Sequence, residues 1–332
     1  MRFVNFLFFR LLTYLCIIFI GVTVVFFVPR MLPSDPVEAL MGRVMASGSF
    51  MDAATVTAMR ESLTELFGLE GGLWQQYFGF LKRVIVTGDF GPSMAMYPTP
   101  VNTLISQALP WTIGLLVVSA IIAWLLGNVI GLIAGYKRDK KYAKLLELLA
   151  ITVHPIPYYI LALVLIILFA YKVPIFPMTT YIKGKPFTLE FIKSVVYNSV
   201  LPAFSIIIAS AGWWVISMKA LASDVAEEDF VRFARLKKVK ETRIIGSYIA
   251  RNAILPQITA LALTIGGVFS GSLITEVIFG YPGLGSLTYS AVLQADYNLL
   301  MGTVVLAIIA VATAALIIDL LYPMLDPRIR HK

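Results

Sequence analysis

The chain of 332 residues contains one cysteine and two histidines. A lone thiol, Cys16, can form no intrachain disulfide, and its place in an apolar run makes it a packing residue. With only His154 and His331 beside it, a protein metal cluster is not expected. No carboxylate cluster has the loop pattern that holds Mg²⁺ or Ca²⁺. A Ser/His/Asp or Cys/His set is excluded by the same scarcity, because one histidine lies in an apolar stretch and the other in the tail. The sequence has no Gly-x-x-x-x-Gly-Lys-Ser/Thr loop. Gly266-Gly-Val-Phe-Ser-Gly271 has the glycine spacing, but Ser272 stands where the phosphate-binding lysine is required. The chain is therefore expected to carry no catalytic residue, no metal and no cofactor.

Charge is also scarce. Only 14% of residues are charged, against 59% apolar, which argues for a polytopic membrane protein rather than two soluble domains. A net charge of +8 would suggest nucleic acid in a soluble chain. Here the distribution of charge outweighs its sum, and the partner it implies is the lipid bilayer, with no nucleic acid.

Six uncharged runs are long enough to span: Leu11–Val28, Leu109–Tyr136, Leu148–Tyr171, Ser194–Met218, Asn252–Thr275 and Tyr297–Ile318. The first begins like a secretory signal, with Arg2 and Arg10 ahead of it. Pro29, Arg30 and Met31 offer no small-x-small cleavage site, so an uncleaved span is expected. With both termini in the cytoplasm, 18 of the 27 Lys/Arg residues fall inside. Two are N-terminal, five lie in 136–147, eight in 219–251 and three in the tail. The other nine are outside, five of them in a long first loop that counts little. Lys172, Lys183, Lys185 and Lys193 are the exception to the rule.

The expected division is a first transmembrane helix at 1–29, an extracytoplasmic region at 30–100 and a five-helix core at 101–332. In the second part, Asp52 to Phe67 reads as a helix ended by Gly68, with Leu63, Leu66 and Phe67 as its apolar face. Trp74 to Val86 reads as a short interfacial helix. About 70 residues are few for an independent core, so this region is expected to pack on the outer ends of the spans.

Gly127-x-x-x-Gly131-x-x-x-Gly135 and Gly267-x-x-x-Gly271 put glycines on one helix face, where a neighbour can approach closely. His154-Pro155-Ile156-Pro157 sits inside a span and reads as a kink, with a proton relay as the rival reading. Glu276 and Asp319, at span ends, either snorkel to water or serve a gate or partner contact. Trp213 and Trp214 could stack on a substrate, but adjacent residues face different ways, so at most one points into a pore.

The long charged island is Asp224–Pro256. Glu227, Glu228 and Asp229 precede Lys237, Lys238 and Lys240, the charge order a helix dipole favours. Ser223 is a candidate N-cap. Phe230, Phe233 and Ala234 share a face at helical spacing, with Arg232 and Arg235 turned away. Such a helix either lies on lipid headgroups or docks its apolar face on another protein.

The island also resembles the cytoplasmic EAA-type loop of ABC importer permeases, in the version of the oligopeptide/dipeptide family. The resemblance rests on Asp229-Phe-Val-Arg232-Phe-Ala234-Arg235-Leu-Lys237 and Arg251-Asn252-Ala253-Ile-Leu-Pro256. Lys238 stands where that family usually has Gly. Further matches follow in order: Arg10-Leu-Leu, Leu32-Pro33-Ser-Asp35-Pro36, Gly88-Asp89-Phe90-Gly91-Pro-Ser93, Pro110-x-Thr112 and Leu201-Pro202-Ala203. The last three are Glu276-Val-Ile-Phe279-x-x-Pro282-Gly283-Leu284-Gly285, Asp296-Tyr297 and Asp319-Leu-Leu-Tyr322-x-x-x-Asp326-Pro327-Arg328-Ile329-Arg330.

The resemblance implies an all-α membrane protein with six transmembrane helices, of the type I ABC importer fold, in the cell (inner) membrane. Residues 224–256 would form its coupling loop, with Asp229, Phe230, Arg232, Phe233, Ala234, Arg235, Lys237 and Lys238 meeting an ATPase. The implied partners are a homologous second permease, two ATP-binding subunits and an extracytoplasmic solute-binding protein. The solute would be an oligopeptide, although relatives also carry oligosaccharides or nickel. Trp213, Trp214, Glu276 and Tyr281 are the candidate path or gate residues. A stand-alone channel or secondary transporter is the competing class, and it should show functional charges at midplane.

The orientation is checked by cysteine labelling in intact cells. Residues 88–93 and 281–285 are expected to label from outside, and positions 140 and 237 only from inside. The reverse pattern would invert the topology.

Overall fold

The computed structural model describes residues 2–31, 35–46, 52–268 and 272–325. Leu32-Pro33-Ser34, Gly271 and the closing Asp326–Arg330, all part of the patterns above, lie outside the described residues. Among those described the chain is all-α, with one isolated bridge between Pro92 and Pro100. In chain order the first helices are α1 (Arg2–Arg30), α2 (Pro36–Ala46), α3 (Ala53–Leu66), α4 (Leu73–Thr87) and α5 (Val101–Tyr136). Next come α6 (Lys141–Val153), α7 (Tyr158–Ile166), α8 (Leu189–Glu227), α9 (Asp229–Leu236) and α10 (Glu241–Arg243). The last are α11 (Arg251–Gly267), α12 (Leu273–Phe279), α13 (Leu284–Leu293) and α14 (Tyr297–Leu325). Among the described residues five helical stretches are long and apolar enough to cross a bilayer, and a bent pair, counted as one span, makes a sixth.

Two compact units divide the chain. One comprises Met1–Thr112, Phe269–Leu273 and Pro282–Lys332; the other comprises Ile113–Val268 and Ile274–Tyr281.

In the first unit α1 and α14 run antiparallel. Arg10 pairs with Asp319 at 2.7 Å, and the Tyr14 and Thr313 hydroxyls lie 3.1 Å apart. At Gly21 a Cβ would sit 2.9 Å from Ile308 Cγ2, so the glycine admits the close approach. Asp319 is thus an ion-pair partner of Arg10. The polar region between residues 30 and 100 does share its core with these spans. Val37, Leu63, Phe67, Tyr77 and Phe80 pack with Phe26 of α1 and with Met301 and Val305 of α14. Asp52 caps α3 by accepting the Thr55 N–H at 3.2 Å. Of the expected apolar face, Leu63 and Phe67, four residues apart, are buried, while Leu66 is exposed.

Asp296 caps α14, accepting the Leu299 N–H at 3.0 Å on Oδ1. Its Oδ2 takes the Ser93 hydroxyl and the Ala95 N–H. Asn298 donates to the Pro92 carbonyl at 3.0 Å. The 88–93 turn is thereby fastened to the start of the last span.

In the second unit α8 is the shaft. Its 39 residues make a rod of about 58 Å, far beyond the ~30 Å of a hydrocarbon core, so it extends past the expected Ser194–Met218 run. The α5 glycines face it directly. Cβ atoms would lie 2.3 Å from Trp214 Cβ at Gly127, 2.6 Å from the Val215 carbonyl oxygen at Gly131, and 2.5 Å from that of Lys219 at Gly135. Gly267 plays no such part, since a Cβ there would meet nothing within 4 Å.

The expected kink at His154–Pro157 is a full break. α6 ends at Val153, and α7 leaves at 96° to it before finishing in a π-helical turn, Ile167–Lys172. Two prolines one residue apart remove two N–H donors, and each ring disfavours helix in the residue before it. The fifth span starts earlier than expected, at Glu241, and runs through the π-helical Ile244–Ala250 into α11, ending at Gly267 rather than Thr275. Thr275 belongs to the separate α12.

The glycine seam gives a test with its own control on the same helix. Gly131→Ala is expected to lower the melting temperature of the purified protein, because the added methyl meets backbone and costs about 1–3 kcal/mol. Gly114→Ala, where nothing lies within 4 Å, should leave it level or raise it through the gain in helix propensity.

Candidate functional site

α8 stops at Glu227 because Glu228 is extended, with ψ 146°. α9 begins at the next residue. Ser223, the candidate N-cap, instead lies within α8 and donates its hydroxyl to the Gly135 carbonyl at 3.2 Å. Glu228 occupies the cap position and makes no side-chain cap hydrogen bond. Asp229 and Arg235 sit in the first and last turns, the order the dipole favours.

α9 buries one face against its own chain and leaves both phenylalanines of its apolar face open. Val231 and Ala234 are buried, three residues apart, in a cluster with Ala222, Ala226, Ile244 and Ile249. Phe230, 44% exposed, and Phe233, 58% exposed, point away from that cluster with Leu236. Of Phe230, Phe233 and Ala234, the two rings are open to another surface and Ala234 is buried. A pocket lined by alanines admits Val231 more readily than a phenylalanine ring. Phe230 stacks at its edge on Tyr248, with ring centroids 6.5 Å apart. The Lys237 ammonium lies 4.6 Å from the Phe233 ring centroid, and the Arg235 guanidinium 5.3 Å from that of Tyr136. Arg232 is exposed, 3.8 Å from Asp229.

The end of α9 is closed by its backbone. Lys238 donates to the Arg235 carbonyl at 2.9 Å, and Val239 to that of Ala234 at 3.2 Å. Those two bonds form a Schellman motif, which requires a left-handed residue at Lys238; its φ is 56°. A lysine therefore holds a conformation that glycine adopts without steric cost.

Ion pairs brace the same region. Lys137 pairs with Glu241 and Arg138 with Glu227, tying the turn after α5 to both flanks of α9. The hydrogen bond to Glu241 raises the Lys137 pKa above the usual lysine value, and the bond to Glu227 does the same for Arg138. Both groups stay charged across the physiological range. Lys219 and Glu147 form a further pair between α8 and α6.

The path candidates do not converge. Trp214 is buried against Gly127, while Trp213 is half-exposed. Tyr281 is buried, its hydroxyl 2.9 Å from that of Ser199. Ser199 and Trp213 are separated by about 21 Å along α8. Glu276 is fully buried in α12 and does not snorkel. Its carbonyl accepts the Tyr281 N–H at 2.7 Å.

Sequence reading passed over Gln257. It is buried in α11, its side-chain amide donates to Ser217 Oγ at 2.8 Å, and its backbone carbonyl accepts from Trp124 Nε1 at 3.1 Å. An amide inside an otherwise apolar span was the available signal.

The prediction here concerns Lys238. Lys238→Gly should raise thermal stability by relieving roughly 1 kcal/mol of left-handed strain. Lys238→Val should lower it, because a β-branched residue tolerates positive φ least. Equal melting temperatures for the two variants would refute the role of this backbone position.

Residues 127–331 match the profile of the family described as "binding-protein-dependent transport system inner membrane component". The chain is 32% identical to the oligopeptide transport system permease protein AppB of Bacillus subtilis, over 95% of this chain and 96% of that one. It is 29% identical to the dipeptide transport system permease protein DppB of the same organism, over 93% of each. Identity to the glutathione transport system permease protein GsiC of Escherichia coli is 28%, over 99% of each.

Proposed function

The chain belongs to the binding-protein-dependent transport system inner membrane components, and from that premise we propose that it forms half of an ATP-driven import path for oligopeptides. Family membership makes it a multi-pass inner-membrane permease subunit rather than an enzyme. In the proposed assembly it pairs with a homologous permease and receives solute from an extracytoplasmic binding protein. Two ATP-binding subunits sit on the cytoplasmic side, and ATP is hydrolysed there. The names of its relatives, which specify oligopeptide, dipeptide and glutathione transport, support a peptide-like solute.

One observation carries the coupling reading. α9 is anchored by Val231 and Ala234 while it turns Phe233 and Leu236 outward, in a loop that offers them no cover. Lipid would also accept that face. The bracing favours a protein partner, because a helix resting on headgroups needs no rigid mount. A single extended residue, Glu228, joins α9 to α8. The Schellman turn and the Lys137–Glu241 pair join it toward α11. A push on α9 is therefore passed to two spans together, as a rigid-body switch between inward- and outward-open packings requires. In this reading Asp229, Arg232, Arg235 and Lys237 form the polar rim of the contact.

Phe233→Asp tests the reading. Covering the rest of the ring is worth roughly 1–2 kcal/mol, and a carboxylate in its place adds a desolvation cost. The complex is expected to lose its ATP-binding subunits, or to keep them without solute-stimulated hydrolysis. Normal transport with the ATPase bound would refute the coupling role.

A further inference from the structure

Four lysines contradict the positive-inside pattern. Lys172, Lys183, Lys185 and Lys193 stand between the third and fourth spans, with Glu190 the only acid among them. The segment also shows large apolar side chains on its surface. Phe187 is 94% exposed and Tyr181 70%, with Tyr171 and Leu189 nearly as open. In a soluble loop this combination would be unusual.

Its backbone is pinned at a definite depth. Asn198 accepts the Tyr181 N–H at 3.0 Å and donates to the Tyr181 carbonyl at 3.1 Å. The Lys183 N–H bonds Ser194 Oγ at 2.9 Å, and Tyr197 donates to the Ile175 carbonyl. Ser194, Tyr197 and Asn198 are the first turns of the uncharged run in α8. The loop is therefore tied at Ile175, Tyr181 and Lys183 to the start of that run, which places it beside the expected end of the span. Beside it opens a cavity of about 430 Å³, lined by Tyr181, Lys183, Glu190, Lys193, Tyr197 and Asn198.

We propose that this segment binds the headgroup of an anionic phospholipid. Lys183 and Lys193 would meet the phosphate at the cavity mouth. The tyrosines belong at such an interface, with the ring toward hydrocarbon and the hydroxyl toward water. Phe187 enters the acyl region at the loop tip. An excess of ammonium groups at headgroup depth attracts anionic lipid and has no like attraction to neutral lipid. The site depends on the chain's place in the bilayer and not on coupling to ATP, so it stands or falls apart from the transport reading.

The test uses the full chain in a Cys16→Ser background, with Phe187→Cys carrying an environment-sensitive fluorophore. The chain is placed in nanodiscs of phosphatidylcholine alone or mixed with phosphatidylglycerol. Blue-shifted emission, loss of quenching by aqueous iodide and gain of quenching by lipid-borne nitroxide are expected in the mixed discs. Lys183→Gln with Lys193→Gln should abolish the difference between the two lipids while the label stays in place. A label in water in both discs overturns the proposal. So does equal burial in both, which would mean contact without recognition of charge. Burial that needs an added permease or binding-protein partner overturns it in favour of a protein contact.

Discussion

Along α5, Gly127, Gly131 and Gly135 bring main chain against the main chain of α8, and most of the second unit follows from that contact. Between apolar helices in lipid the hydrophobic effect supplies little drive, so closeness of packing must supply it. α8 is held again at Gly212, where a Cβ would lie 2.9 Å from that of His154. The helix break at 154–157 is thus pressed against the shaft and positioned by it. Ser223, bonded to the carbonyl of Gly135, extends the same register to the C-terminal end of α8. Where α8 ends, the alanines Ala222 and Ala226 form the floor on which α9 rests.

The mounting of α9 reconciles two demands. The proposed coupling role needs an exposed apolar face, which alone would make the helix mobile in water. Burying Val231 and Ala234 fixes the helix without using either phenylalanine. The ion pairs at Lys137 and Arg138 contribute little energy at an exposed surface, but they fix the direction of the loop. Rigidity and a free face are obtained from different residues.

The spans were legible because hydrocarbon tolerates few charges, and uncharged runs of the right length mark them directly. Their ends were not. Glu241 and Arg243 open the fifth crossing in polar surroundings, where the charge criterion says nothing. The island's helix was legible, and its two phenylalanines lie open, but Val231 was not marked as the residue that anchors it. Which face is buried depends on the floor it meets, and that floor lies in α8. Lys238 shows the opposite case: a position known by resemblance to favour glycine has the backbone geometry glycine serves. Glu276 could not have been read as buried, since its surroundings come from chain folded around α12.

The cap at Asp296 carries a consequence for biogenesis. The carboxylate that starts the last span is completed by Ser93 and Ala95, roughly 200 residues earlier in synthesis. The 88–93 turn must wait on its side of the membrane while four further spans are made. Only when residue 296 emerges on the same side can the knot be tied. Until then the Ser93 hydroxyl and the Ala95 amide lack the carboxylate that they bind. Closure of this one carboxylate therefore reports that the earliest and latest parts of the chain have arrived on one face of the membrane.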